Sequence, residues 1–124
     1  MTARRRALGS LGEEVAARHL RRRGFSLLER NARTRHGELD IVALDGETLV
    51  FVEVKAGRAG ASAGPERPAL AVGLRKQRRL RGLARAWLAE RRGVRYEAIR
   101  FDVIGVTVAD TGAVVELEHI EAAM

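Results

Sequence analysis

Three charged side chains interrupt two stretches of sequence that are otherwise strongly apolar. Asp40 lies in the stretch ELDIVAL, and Glu53 and Lys55 lie in the stretch TLVFVEVK. Carboxylate oxygens are the ligands that hard divalent cations prefer, and Mg²⁺ typically takes one or two of them together with water and a substrate phosphate. A cation held in this way activates water and polarises the phosphate. These residue types therefore suit metal-assisted phosphodiester chemistry.

The two stretches are typical of the strands of a β-hairpin. Both are rich in aliphatic and β-branched residues, and Asp45-Gly46 between them is a strong turn signal. If these two residues form the turn, Leu44 pairs with Glu47, and the pairing of all residues further from the turn follows.

The predicted pairing gathers acidic side chains on one face of the hairpin. Glu38 would lie directly opposite Glu53, and Asp40 would be a diagonal neighbour of Glu53. Lys55 would point to the same side, where it could orient an attacking water or neutralise charge that develops on a phosphate. Like charges directly opposite destabilise a strand pair, and a bound cation would relieve this cost. The alternative interpretation is a charged outer face in contact with solvent.

The opposite face of the hairpin is apolar and is predicted to be core, because side chains alternate along a strand. The acidic face is then expected to meet either solvent or a ligand. The residues assigned to the apolar face are Leu39, Ile41, Ala43, Val50, Val52 and Val54.

Hydrophobic periodicity and turn signals predict one α/β domain over residues 1–124, in the order α-β-β-β-α-β-β. Ser10 and Glu13 have capping-box spacing, which predicts a helix start at Ser10. The Gly- and Ala-rich residues 56–74 are predicted to be mainly a mobile loop. The predicted helices are 10–23 and 69–92, and the predicted strands are Phe25–Glu29, Glu38–Leu44, Thr48–Lys55, Tyr96–Val108 and Ala113–Leu117. On the second helix, the residues predicted to be buried are Leu74, Leu80, Leu83, Ala84, Trp87 and Leu88.

The chain is strongly basic, with a net charge of +7. Two basic segments, residues 1–36 and 75–100, flank an acidic middle, and such segments suit a polyphosphate backbone, although a solubility surface is the alternative. The lack of cysteine excludes a disulfide framework and a thiolate nucleophile. There is no signal-peptide pattern and no apolar run of about 18 residues, so we expect a cytoplasmic protein without a membrane partner.

The residues around the acids resemble a known protein family. Residues 37–43, GELDIVA, followed by residues 50–55, VFVEVK, are similar to the core of the YraN-like family of uncharacterised bacterial proteins. More remotely, they resemble archaeal Holliday junction resolvases and the restriction-endonuclease-like PD-(D/E)xK nucleases. The resemblance implies a restriction-endonuclease-like mixed β-sheet flanked by helices, with metal-dependent DNA cleavage. Supporting matches in the rest of the chain are Gly12, Glu13, Ala16, Gly24, Phe25, Asn31, Lys76 and Arg100–Val103.

The resemblance also implies roles for individual residues. Asp40, Glu53 and Lys55 match the catalytic positions, and the two acids match metal ligands for Mg²⁺ or Mn²⁺. An acid on the first helix often completes such sites and matches Glu13, for which capping is the competing role. Apart from the resemblance, the predicted position of Glu38 opposite Glu53 suits either an outer metal ligand or an acid that supports the ligands from just outside them. The sequence departs from the nuclease motif at Leu39, where that motif has proline.

Nucleic acid is the expected partner, and the resemblance favours DNA over RNA. Branched DNA is the candidate substrate and a homodimer the candidate assembly, both by analogy with resolvases. The alternatives are a non-catalytic nucleic-acid-binding module and a protein-interaction subunit that keeps the fold. His19, Asp102 and Trp87 are assigned to structural roles. The residues predicted to contact nucleic acid are Arg35, His36, Arg58, Lys76, Gln77 and Arg79.

Overall fold

Five β-strands form one mixed sheet that lies between two helices. The computed structural model describes residues 3–60 and 73–124. The elements are α1 (Ala3–Arg22), β1 (Ser26–Thr34), β2 (Gly37–Asp45), β3 (Thr48–Arg58), α2 (Leu74–Glu90), β4 (Ala98–Val108) and β5 (Val114–Ile120). The predicted fold class and element order are therefore confirmed.

The strands follow one another across the sheet in the order β1-β2-β3-β4-β5. Strands β3 and β4 are parallel, and the other three neighbouring pairs are antiparallel. A parallel pair needs a crossover connection, and α2 lies in the segment that makes it.

Each face of the sheet is covered by one helix, which creates two apolar cores. The core on the α1 side contains Ala16, Ala17, Leu20, Phe25, Ile41, Ala43, Val50, Val52, Ile104, Val106 and Val108. The core on the α2 side contains Ala32, Leu39, Val42, Leu49, Phe51, Leu80, Leu83, Ala84, Trp87 and Phe101.

The two cores correct the prediction for the faces of the hairpin. The apolar face is core, as predicted, and it packs against α1, except that Leu39 lies in the core on the α2 side. The other face does not meet solvent or a ligand along its whole length, because α2 covers Val42, Leu49 and Phe51 near the turn. Only the end away from the turn is left for the acidic side chains.

The hairpin turn lies one residue further along the chain than predicted. Leu44 pairs with Leu49 rather than with Glu47, so Gly46 and Glu47 form the turn. Gly46 has a φ of 61°, and its missing Cβ makes this left-handed conformation accessible in the tight turn. The pairing is displaced by an even number of residues, so the side chains of the paired part stay on their predicted faces. Leu39 lies beyond the paired part and does not.

Helix α1 begins at Ala3, and Ser10 lies inside it, so the predicted capping box is wrong. The residues before Ser10 are mostly Ala, Arg and Leu, which are strong helix formers and extend the helix toward the N-terminus. Further along, α1 approaches β3 closely at Gly12, where an added Cβ would lie 2.8 Å from the Cβ of Ala56. This approach brings the next residue, Glu13, to the sheet.

Helix α2 is shorter than the prediction of 69–92, whose residues 69–72 lie outside the described residues. Leu74 was predicted to be buried, but it is 73% exposed. At ~100° per residue, it points about 130° away from the centre of the stripe that holds Leu83 and Trp87. Neither helix in the described part of the chain is long and apolar enough to cross a membrane.

The C-terminal end of α2 is fixed to β1 by the carboxylate of Glu29. The indole Nε1 of Trp87 donates to this carboxylate at 3.0 Å. Arg91, which follows α2, donates to it twice at 2.9 Å and also donates to the backbone oxygen of Arg33 at 3.0 Å. Trp87 is 1% exposed, as a core residue should be.

Several strand ends also differ from the prediction. Strand β1 runs to Thr34 because it stays paired with β2 along its length. Residues 56–58 are strand rather than loop, because β3 stays paired with β4 as far as Arg58 and Val108. The remainder of the predicted loop at residues 61–72 lies outside the described residues.

Candidate active site

The acidic side chains lie where β2 and β3 separate. The pairing of these strands runs from the turn to Ile41 and Val52 and then ends. Beyond this point β2 pairs only with β1, and β3 pairs only with β4. Asp40 takes over the role of a strand partner, because its Oδ2 accepts a hydrogen bond from the backbone N–H of Val54 at 2.8 Å.

Four carboxylates line one cavity of about 250 Å³ at this separation. Glu13 comes from α1, Glu38 and Asp40 come from β2, and Glu53 comes from β3. The cavity thus brings together all four acids that the sequence singled out. The other lining residues are Asn31, Arg79, Leu80 and Leu83.

The cavity is electrostatically unfavourable for its acids. Burial, followed by the charge of Glu53, raises the pKa of Asp40 to about 7, against a smaller lowering by the Val54 amide. Burial also raises the pKa of Glu13, with further raising by Glu38 and Glu53 and opposition from Arg30 and Asn31. The carboxyl groups of Asp40 and Glu53 are close enough to share a hydrogen bond when one is protonated.

Two lysines, Lys55 on β3 and Lys76 on α2, contact the same carboxylate oxygen of Glu53. The Nζ of Lys76 on α2 lies 2.9 Å from Glu53 Oε1, and the Nζ of Lys55 lies 3.6 Å from the same atom. Burial and the neighbouring Lys76 ammonium lower the pKa of Lys55. Burial acts to lower the pKa of Lys76 as well, but its contacts with Lys55 and Glu53 outweigh this and raise it. Lys76 was predicted to contact nucleic acid, and here it is an ion-pair partner of a candidate metal ligand.

Asn31 is a site residue whose role the sequence patterns did not reveal. With its amide oriented to satisfy hydrogen bonding, the nitrogen donates to both oxygens of Glu13 at 3.1 and 3.2 Å. Asn31 has a φ of 50°, a conformation that asparagine tolerates better than most residues. An asparagine within a strand was the available signal.

The donor set fits a divalent cation bound by two carboxylates. Asp40 and Glu53 are adjacent, and burial followed by the negative charge of Glu53 raises the pKa of Asp40. Mg²⁺ typically needs one or two carboxylates, with water and phosphate as the remaining ligands. Glu13 does not form a compact three-ligand group with them, so it is better placed to act through water or from outside the ligands.

In the described residues, one compact group of three potential metal ligands is present, and it lies elsewhere. Ligand atoms of Asp102, His119 and Glu121 lie within 4.8 Å of one another, so the group could hold a metal ion by geometry. Guanidinium groups already occupy it: Arg100 donates to both oxygens of Asp102 at 2.8 and 3.0 Å, and Arg23 lies 3.0 Å from Glu121.

The same group forms a closed hydrogen-bond network. Asp102 is fully buried and also bonds to His119 at 2.8 Å. Burial would raise the pKa of Asp102, but the hydrogen bonds from His119 and Arg100 lower it. His19 contributes through a 3.0 Å contact with His119 and is half-buried. These contacts agree with the structural roles assigned to Asp102 and His19.

The residues predicted to contact nucleic acid are not all gathered in one place. Arg35, His36 and Arg79 line one cavity of about 440 Å³. Arg58 lies apart from them, in a cavity shared with Arg4 and Arg5. The sixth of these residues, Gln77, follows Lys76 on α2 and is half-buried.

Comparison with known proteins gives a consistent family assignment. A family model described as "Uncharacterised protein family UPF0102" matches residues 12–106. A UPF0102 protein of Anaeromyxobacter dehalogenans is 48% identical over 119 residues, which cover 96% of this chain and 84% of the relative. A UPF0102 protein of Streptomyces griseus is 50% identical over 115 residues, which cover 93% of each chain. A third, from Geobacter metallireducens, is 47% identical over 120 residues, which cover 97% of this chain and 93% of the relative. The matched region runs from α1 into β4 and contains all four acids of the cavity, and the chain therefore belongs to the UPF0102 family, the YraN-like family that its acidic motif resembles.

Proposed function

We propose that the protein is a metal-dependent nuclease that hydrolyses phosphodiester bonds in DNA, with Mg²⁺ or Mn²⁺ as its cofactor. The observation that carries the proposal is the pair Asp40 and Glu53, held side by side in a cavity that penalises their negative charge. Paired acids in such an environment are more common at functional sites than on structural surfaces.

The residues of the cavity have distinct tasks in this proposal. Asp40 and Glu53 present carboxylate oxygens to the cation, which when bound would activate water and polarise the phosphate. The Val54 amide fixes the orientation of Asp40. Asn31 fixes Glu13 beside the pair, from where it supports the ligands.

Lys55 is assigned a catalytic task. Its Nζ lies 3.6 Å from Glu53, so it reaches the region where a phosphate bound to the same site would lie. There it can orient the attacking water or stabilise negative charge that develops on the phosphate. Removing an electrostatic group of this kind costs roughly two to three orders of magnitude in rate.

The substrate is proposed to be DNA rather than RNA, and branched DNA in particular, on the strength of the resemblance to resolvases. A cytoplasmic location and a homodimer belong to the same proposal. A dimer would supply two equivalent cavities for the two strands of a junction.

One contact favours a second candidate, a nucleic-acid-binding module that keeps the fold without cleaving. Lys76 and Lys55 both contact Glu53, so part of the acidic charge is already compensated by the protein itself. A module of this kind would bind DNA with or without a divalent cation.

The test is a cleavage assay with supercoiled plasmid, linear DNA and a four-way junction, each with Mg²⁺, Mn²⁺ or EDTA. We expect cleavage that requires the cation, is abolished by Asp40→Ala and is strongly reduced by Lys55→Ala. Asp110→Ala is the control, because that carboxylate is 91% exposed. Cleavage that survives both site substitutions would trace to a contaminant and overturn the proposal. Binding without cleavage under every condition would establish the second candidate.

A further inference from the structure

A basic cavity lies directly beside the acidic one. It has a volume of about 440 Å³ and shares Arg79 and Leu83 with the acidic cavity. Arg35 and His36, in the turn between β1 and β2, form one wall, and Arg79 and Arg85 of α2 form the other. The two cavities are therefore neighbouring parts of one depression that changes from acidic to basic at Arg79.

The arginines of the basic cavity are exposed. Within residues 3–60 and 73–124, no ion pair involves the guanidinium group of Arg35, Arg79 or Arg85. Elsewhere in the molecule, Arg91 and Arg100 are paired with buried or half-buried carboxylates. Three like charges around a concave surface repel one another, and a bound anion would remove this repulsion.

The walls of the basic cavity are held at a fixed separation. The turn between β1 and β2 packs closely on α2, since a Cβ added at Gly37 would lie 3.1 Å from Leu83 Cδ2. The backbone N–H of Arg35 donates to Glu90 at the end of α2, at 3.3 Å. Arg91 ties the same end of α2 to β1. The arginines thus project from a rigid frame, which lowers the entropy lost when a ligand binds.

We propose that this cavity is a subsite for the phosphodiester backbone next to the phosphate held in the acidic cavity. The path of the nucleic acid from the acidic cavity into the basic cavity rests on the proposed function. Binding in the basic cavity does not itself require cleavage. The planar guanidinium groups suit the bidentate recognition of phosphate oxygens. The lining residues Gly82 and Ala86 leave room for the sugar-phosphate chain. The subsite recognises the backbone and not the bases, so it accepts any sequence.

The test measures binding in EDTA, where cleavage does not interfere. Fluorescence anisotropy is recorded with labelled DNA and RNA strands of about 20 nucleotides, longer than the ~4–16 nucleotides that a small single-strand-binding domain typically covers. Arg35→Ala with Arg85→Ala removes one guanidinium from each wall. The matched control is Arg21→Ala with Arg95→Ala, which removes the same charge from exposed positions outside the cavity.

We expect the cavity variant to bind about tenfold more weakly than the control variant, with a salt dependence reduced by the loss of about two phosphate contacts. Equal affinities of the two variants would overturn the subsite, as would a loss confined to one base sequence. Weaker binding by the cavity variant in a protein that never cleaves would support the subsite while the proposed function fails. If the wild-type protein cleaves DNA while the cavity variant binds as tightly as the control variant, the proposed function stands and the subsite is overturned.

Discussion

The carboxyl group of Asp40 lies in an unfavourable environment, so Asp40→Asn is expected to stabilise the metal-free protein. Burial and the charge of Glu53 raise the pKa of Asp40 from 3.8 to about 7. At ~1.36 kcal/mol per pKa unit, this difference sets an upper limit of ~4 kcal/mol above neutral pH. Water entry and the proton shared with Glu53 reduce the effect, and we expect a gain of about 2 kcal/mol. Asparagine keeps an oxygen for the Val54 amide, so the backbone contact is retained.

The gain should depend on pH in a defined direction. A carboxyl group whose pKa is higher in the folded than in the unfolded state binds its proton more tightly when folded, between about pH 4 and pH 7. The wild-type protein therefore loses stability from this group as the pH rises through that window, and the variant does not. The advantage of the variant should be largest near pH 8 and fall by more than half at about pH 5. The charged groups around Asp40 are Glu13, Glu38, Glu53, Lys76 and Arg79.

Urea unfolding in EDTA at both pH values measures the free energy of unfolding of the two proteins. Asp110→Asn is the matched control, because its carboxylate is 91% exposed and the same charge is removed. Added Mg²⁺ should raise the Tm of the wild-type protein more than that of Asp40→Asn, since a ligand stabilises the state that binds it. A variant that is less stable than the wild-type protein near pH 8 would refute the reasoning.

Three further predictions concern the frame that positions the site. Gly12→Ala should destabilise the protein by about 1–3 kcal/mol in urea unfolding, because its Cβ would lie 2.8 Å from that of Ala56, and Ala56→Gly should restore part of the loss. Asp102→Asn should cost about 3 kcal/mol at neutral pH by leaving Arg100 partly unpaired. Because the pKa of Asp102 is lowered in the folded state, the advantage of the wild-type protein should disappear as acid protonates it, and an advantage that persists would contradict the network. Trp87→Phe should cost about 1 kcal/mol through the lost hydrogen bond to Glu29, and an unchanged urea midpoint would show that this bond contributes nothing.

The clustering of the acids could be predicted from the sequence because strand alternation is a local property. The predicted pairing was displaced by an even number of residues, which leaves paired side chains on their faces, and Glu38, Asp40 and Glu53 line one cavity. The helix start was missed because Ser10 and Glu13 imitate a cap while the residues before them are equally good helix formers.

The contacts between distant elements could not be predicted in the same way. The ion pair of Lys76 with Glu53 depends on how α2 crosses the sheet, and no periodicity specifies that crossing. The position of Asn31 beside Glu13 depends in turn on the close approach of α1 to β3. The basic cavity was only partly foreseen, because Arg85 joins Arg35 through the packing of α2 against the turn between β1 and β2.

The hydrogen bond from Val54 to Asp40 gives position 40 a second reason to keep an oxygen. Under the proposed function, a family member that had lost cleavage would still need a side-chain acceptor there, because the half-buried Val54 amide would otherwise lack a partner. Substitutions at position 40 should therefore favour asparagine, serine or threonine, which keep an oxygen, over alanine or leucine, which do not. Lys55 contacts the Glu53 carboxylate but has no comparable bond to the backbone in the part of the chain that the structure describes, so it has no such second reason to be kept. If the proposed nuclease function holds, the residue at position 55, more than the residue at position 40, should distinguish family members that cleave DNA from those that do not.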